Sequence, residues 1–166
     1  AYSEILGKHG YTAAQVLQNW DALKRSQRGI TTHAQAMDDV SGGLSSTMRA
    51  DKVQRKAAKV KFDFPDARSA LAKVHEEAEE VRECLDSGED PEMELGDLLF
   101  AIINVCRLCK KNPDIALFSA TNKFIERFRK MENAIQKAGK SIEHLTLSEM
   151  DVYWEAEKQA PPTNQR

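Results

Sequence analysis

Two short acidic spacings carry the chemistry in this sequence. Glu76-Glu77-Ala78-Glu79-Glu80 is followed downstream by Glu94-Leu95-Gly96-Asp97. At about 100° per residue on a helix, Glu77 and Glu80 fall one turn apart, beside an apolar face of Leu71, Val74, Ala78, Val81 and Leu85. Glu76 points nearly opposite that face. Glu94 and Asp97 repeat the one-turn spacing, and Asn104 continues the stripe of Asp97 two turns on. The run from Leu95 to Cys106 is apolar almost all round, which predicts a helix buried on most sides. A buried, unpaired carboxylate costs several kcal/mol, so two of them facing a second acidic pair call for a cation.

Four oxygen donors without a histidine suit a hard ion, Mg²⁺ or its substitute Mn²⁺. Magnesium shares its coordination with substrate phosphates, which points towards nucleotide chemistry. A di-iron helical bundle would use Glu-x-x-His pairs, and the sequence contains none. The plainer reading of the 76–80 run alone is a solvated acidic face; the second pair, in apolar surroundings, tips the balance to a metal. Phosphates need cations as well. Lys123 and Arg127 stand one turn apart, a spacing that can grip a polyphosphate. Lys73 lies one turn before Glu77, where an ordinary ion pair with Glu77 is the competing reading. Trp154 could stack on a base, although a lone tryptophan is more often core. Asn104 joins these as a candidate nucleotide-binding residue.

The elements that must hold these groups are all helical. A first helix is predicted from Thr12, as N-cap, to Arg28, with Val16, Leu17, Trp20 and Leu23 at helical spacing. Residues 29–46 lack a period and read as a long loop. A basic helix follows over 46–60, ended by the 61–65 segment because the position before Pro65 disfavours helix. Asp66 caps a helix over 66–86. Asp90 and Pro91 open one over 90–110. Asn112-Pro113-Asp114 turns the chain into a helix over 115–138, closed by Gly139. A last helix begins at Thr146 or Ser148 and runs to Lys158, before a disordered tail at 161–166. No segment alternates as a strand would, so the fold class is all-α.

Length and composition fit that reading. The 166 residues suffice for one domain, 41% hydrophobic and 30% charged, as amphipathic helices require. A net charge of −2, from 24 basic and 26 acidic residues, lacks the excess of a nucleic-acid binder. Only the basic 46–60 helix keeps contact with RNA or another acidic partner as a weaker idea. No apolar run is long enough to span a membrane, and no signal pattern opens the chain, which predicts a cytoplasmic protein. Cys84, Cys106 and Cys109 make neither a disulfide framework nor a zinc site; the last two fall in an apolar run and read as small hydrophobes.

With both acidic motifs in view, the sequence resembles the MazG family of all-α nucleoside triphosphate pyrophosphohydrolases. The family signature is E-E-x-x-E followed by E-x-x-D, met here by Glu76 to Glu80 and by Glu94 to Asp97. The likeness extends over about residues 46–158. It takes in the 48–60 stretch, Lys123-Phe124, Arg127-Phe128, and Leu147 to Asp151 leading to Trp154. It is nearest to the C-terminal, catalytic half of two-domain members, with residues 1–45 resembling the linker before that half. The resemblance implies a fragment or shortened member, with a catalytic domain over 46–160. It implies that Glu77, Glu80, Glu94 and Asp97 bind magnesium, and that Lys73, Lys123, Arg127 and Trp154 contact the nucleotide. Water, polarised by Glu76 or by a ligand glutamate, would attack to give a nucleoside monophosphate and pyrophosphate. A homodimer would complete the helical core. Lys61 stands where relatives often have Gly, Phe64 where they have Trp, Met93 where they have Glu, and Glu126 where they have Arg. The alternatives are a relative narrow for dUTP, dCTP or a phosphoribosyl-nucleotide, and a non-catalytic nucleotide-sensing module.

Overall fold

The computed structural model describes residues 29–159 together with Thr12, Gln15, Trp20 and Gln27. The first predicted helix and the 161–166 tail fall almost wholly outside these residues, although Thr12 does cap as expected, its Oγ1 accepting from Gln15 N at 3.3 Å. The described residues are all-α, in two units that divide after Lys110.

The first unit contains α1 (His33–Asp38), α2 (Ser46–Lys59), α3 (Ala67–Ser87) and α4 (Glu92–Leu108). Helix α1 corrects the expectation of a long loop. Thr32 Oγ1 accepts from Gln35 N, and the Gln35 side chain accepts from Thr32 N in return. This capping box satisfies two otherwise orphaned donors. Ala36 and Val40 are buried, so the short helix is anchored by packing as well as by its cap.

Helix α3 starts where Asp66 Oδ1 accepts from Ser69 N at 2.8 Å, a cap worth about 1 kcal/mol. It stops at Gly88, whose φ of +77° is the left-handed conformation glycine reaches without penalty. Pro91, rather than Asp90, is the N-cap of α4, while Asp90 Oδ1 still accepts from Glu92 N. Helix α3 packs along α4, and α2 rests on α4 with α1 against α2. Gln54 of α2 donates to the Phe100 carbonyl of α4 at 2.8 Å. Beyond α2, Asp63 pairs with Arg107, which is buried in α4.

Two expectations about faces are corrected. Helix α4 is not buried on most sides: Ala101, Ile103 and Arg107 are, but Leu95, Leu99 and Ile102 are exposed. On α3 the buried residues are Ala70 and Glu77, whereas Leu71, Ala78 and Leu85 face outward. Among the described residues these apolar arcs are covered only in part, along the edge turned to the neighbouring helix.

The second unit contains α5 (Pro113–Lys137), a 3₁₀ turn (Ile142–His144) and α6 (Leu147–Gln159). Asn112 caps α5, with Pro113 in the first turn, where its missing N–H costs nothing. Thr146 and Glu149 cap α6 reciprocally: Glu149 Oε2 accepts from Thr146 N at 2.8 Å. Met131 and Ile135 form the buried seam, and Phe124 meets Trp154 at 5.2 Å between ring centroids. No helix among the described residues is long and apolar enough to cross a membrane.

Candidate metal centre

Helices α3 and α4 bring three of the predicted carboxylates together. One oxygen each from Glu77, Glu94 and Asp97 lie within 4.8 Å of one another. Their exposure is graded: Glu77 is buried, Glu94 half-buried and Asp97 exposed. The cluster therefore reaches from inside the helix pair to its surface. Glu80, one turn beyond Glu77, is outside this close group but within its field. The Glu77 charge, then burial, push its carboxyl above the ordinary range, and Glu94 adds to this. Unbalanced negative charge has gathered here.

Lys73 offsets part of it. Its Nζ is 2.5 Å from Glu77 Oε1 and 2.7 Å from Glu76 Oε1. Those two bonds, to Glu76 first, hold the ammonium protonated well above its usual range. The plain-pair reading of Lys73 is thus present in the structure. Lys73 leaves one acceptor over: Glu77 Oε2 is buried and has no hydrogen-bond partner. A neutral acceptor in that state costs about 1–3 kcal/mol, and a carboxylate oxygen costs more. A cation shared with Glu94 and Asp97 would satisfy it. Glu76 itself is exposed and bonded only to Lys73 among the contacts described.

Asn104 lies farther along α4 and is half-buried. Its Oδ1 accepts from Arg107 Nε at 3.1 Å and Nη2 at 2.6 Å. The Arg107 contact and the Asp63 pairing behind it are a polar network that helical spacing did not reveal. An Asp 44 residues from an Arg leaves no local signal in sequence.

The remaining predicted residues belong to the second unit. Arg127 lies over the Trp154 ring, 5.3 Å from its centroid, and Trp154 is half-buried between Arg127 and Phe124. Lys123 is exposed on α5, and Glu126 is paired with Lys130 at 3.1 Å. Of the cysteines, Cys84 and Cys106 are half-buried, their thiols pushed up chiefly by burial, whereas Cys109 is exposed at the end of α4.

Residues 66–135, which include α3, α4 and most of α5, match the family model described as the MazG nucleotide pyrophosphohydrolase domain. Over that stretch the chain is similar to a MazG domain. Around it, the chain is 36% identical over 149 residues to the nucleoside triphosphate pyrophosphohydrolase/pyrophosphatase MazG of Thermotoga maritima. It is 33% identical over 150 residues to the nucleoside triphosphate pyrophosphohydrolase of Escherichia coli K12. These alignments take in 90% and 88% of this chain but 56% and 57% of the relatives. A similar stretch, 34% identical, occurs in the uncharacterized protein YabN of Bacillus subtilis. The chain thus spans a little over half the length of the first two relatives. All five acidic positions of the two motifs lie inside the matched MazG domain.

Proposed function

We propose that this chain hydrolyses nucleoside triphosphates between the α- and β-phosphates, releasing a nucleoside monophosphate and pyrophosphate. The observation that carries the reading is the buried Glu77 carboxylate, one oxygen of it unpartnered, clustered with Glu94 and Asp97 inside the stretch that matches the MazG domain. The donor set is all oxygen, which fits Mg²⁺, with Mn²⁺ as substitute. Glu77, Glu80, Glu94 and Asp97 would hold it. When bound, such an ion supplies Lewis-acid chemistry to phosphoryl transfer and generates a nucleophile at neutral pH.

The chain's own residues have distinct tasks in this reading. Lys73 holds Glu77 at one oxygen and leaves the other without a hydrogen-bond partner. Glu76, exposed beside them, is the candidate base for a water proton, with a ligand glutamate as the alternative. Lys123 and Arg127 would neutralise the departing pyrophosphate, and Trp154 and Asn104 would contact the nucleoside. A homodimer belongs to the same reading: Leu95, Leu99 and Ile102 on α4, and Leu71 and Leu85 on α3, are exposed apolar residues among those described. A cytoplasmic setting rests on the sequence alone.

The test is a panel of NTPs and dNTPs with Mg²⁺, products resolved by anion exchange, beside Asp97→Ala. Monophosphate and pyrophosphate from the parent, absent from the variant, are expected. Diphosphate and phosphate would mean another phosphohydrolase reaction. An absence of turnover with retained nucleotide binding would favour the sensing module.

A further inference from the structure

Lys73 is bonded to two carboxylates of its own helix, α3. Its Nζ lies 2.7 Å from Glu76 Oε1 and 2.5 Å from Glu77 Oε1. The two acceptors differ in surroundings: the Glu76 side chain is 60% exposed, that of Glu77 only 6%. Exposed pairs contribute little, so the bond to the buried carboxylate is the one that needs a reason. Helix stability does not supply it. A glutamate one turn ahead of a lysine is the order that strengthens a helix, and here the lysine comes first.

The surroundings of Glu77 do supply one. Its second oxygen is buried without a hydrogen-bond partner, and its carboxylate clusters with those of Glu94 and Asp97. Glu80 adds a further negative charge within the same field. Against this group Lys73 sets one positive charge, at one oxygen of Glu77. That neutralisation is incomplete. It also comes from a flexible four-carbon stem on a side chain 38% exposed, which can swing away without disturbing the helix.

We propose that Lys73 is a tethered counter-cation: in the metal-free protein its ammonium stands in for part of the charge of a divalent ion at Glu77, and binding of that ion displaces it. The inference rests on the metal-assisted reading above and deepens it, since it concerns how the same site is loaded. The physical argument is a competition for one carboxylate. A divalent ion shared by Glu77, Glu94 and Asp97 would neutralise the charge that holds the ammonium and would repel the ammonium itself. Glu76, exposed, remains as a partner for the displaced side chain. An ammonium engaged at two carboxylates cannot also hold a phosphate, whereas one released from Glu77 can. Lys73 is thus a positioning residue whose partner changes with the state of the site. The consequence is a site that tolerates the absence of metal and binds it less tightly than its carboxylates alone would.

Two substitutions separate the charge of Lys73 from its hydrogen bond. Lys73→Gln leaves a donor for Glu77 and removes the charge, while Lys73→Arg keeps the charge. The measurement is calorimetric titration of the full chain with Mg²⁺ and no nucleotide, beside the melting temperature of the metal-free protein. Lys73→Gln is expected to bind Mg²⁺ at least about tenfold tighter than the parent. Without the ion it should melt lower, because the buried Glu77 charge has lost its counter-charge. Saturating Mg²⁺ should narrow that gap, since the tighter binder gains more. Lys73→Arg should keep close to the parent's affinity, its charge being the same. Unchanged Mg²⁺ binding by Lys73→Gln would overturn the proposal, and weaker binding would make Lys73 a group that only orients Glu77. Equal tightening in both variants would also sink it, because charge would then not be the cause. Were Lys73→Gln unfolded without metal, Mg²⁺ should fold it, as read by circular dichroism; failure to do so counts against the proposal. Turnover is scored separately. A parent without NTP hydrolysis that shows the Gln–Arg contrast would end the catalytic reading and leave the counter-cation standing, and turnover without the contrast would do the reverse.

Discussion

Glu77 concentrates the tension in this molecule: one oxygen is 2.5 Å from an ammonium, while the other is buried with no partner. Glu77→Gln removes the charge and supplies a donor to neighbouring carboxylates, so the metal-free protein should gain stability. Activity should fall at least about 100-fold, since even residues behind the ligands cost up to that much. A higher melting temperature without Mg²⁺, together with lost turnover, is the expected pair of results; a variant as active as the parent would remove Glu77 from the site. Lys61 is a different kind of strain. It ends α2 with φ at +65°, a conformation that costs an L-residue about 1–2 kcal/mol. Lys61→Gly should recover about 0.5–1 kcal/mol after the greater freedom of glycine in the unfolded chain is subtracted. Urea unfolding would measure it, and an unchanged midpoint would mean the strain is relieved elsewhere. The resemblance had already marked Lys61 as a position where relatives often carry Gly; the backbone supplies the reason.

At the scale of elements, helix existence was legible because each helix announces itself locally. Asp66 caps where the sequence says it should, Asn112 caps a helix where the sequence reads a turn, and Gly88 and Gly139 stop helices in the left-handed conformation. Helix α1 was missed for want of length, since six residues hold no period, although Thr32 and Gln35 spell its capping box. The faces were less legible. Periodicity marks which residues are apolar, not which of them have a neighbour, so Leu71 and Leu99 looked buried and are not. What ties the elements together was illegible for a related reason. The Asp63–Arg107 pair joins the segment after α2 to α4, and Arg107 is 7% exposed at its side chain. Asp63→Ala would leave that guanidinium buried and unpaired, a loss of about 3 kcal/mol. The bond also holds the Asp63 carboxyl below its usual range. Its stabilising contribution is therefore complete above about pH 4 and lost as pH falls through the lowered value. Acid unfolding of the parent should show a transition there that Asp63→Ala lacks.

For the whole molecule, the acidic cluster and the carboxylates that cap or pair act with opposite signs as pH falls. Asp63, Asp66 and Glu149 have lowered values, owing to Arg107, Ser69 N and Thr146 N respectively. They weaken the fold only in acid. Glu80 is raised, chiefly by Glu77, so the folded state holds a proton that the unfolded chain has released. Its effect favours the fold below about pH 4 and is lost as pH rises through the raised value. Metal-free protein should therefore melt higher near pH 5 than at pH 7.5. Added Mg²⁺ should raise the melting temperature more at pH 7.5 than at pH 5, because the ion competes with protons for the same oxygens. Scanning calorimetry at both values checks the sign, and an equal Mg²⁺ effect would argue against a carboxylate site. The carboxylate pairs were legible from one-turn spacing alone. Their convergence across two helices required the packing of α3 on α4, which no single stretch of sequence encodes.

The tie between α2 and α4 has a kinetic meaning as well. Helices α3 and α4 are neighbours in the chain and can zip together after closing only a short turn. Gln54 meets Phe100, and Asp63 meets Arg107, across 46 and 44 residues, so these contacts pay a loop-closure entropy the hairpin does not. The docking of α2 is therefore expected to be the later and more reversible step, opening without unfolding α3 and α4. Amide hydrogens of α2 should exchange faster than those of α3, and equal protection in the two helices would argue against a separate opening of α2. The space enclosed by α2, the 61–65 segment and α4 then exists only as long as that docking lasts, and access to it would be set by the breathing of one helix.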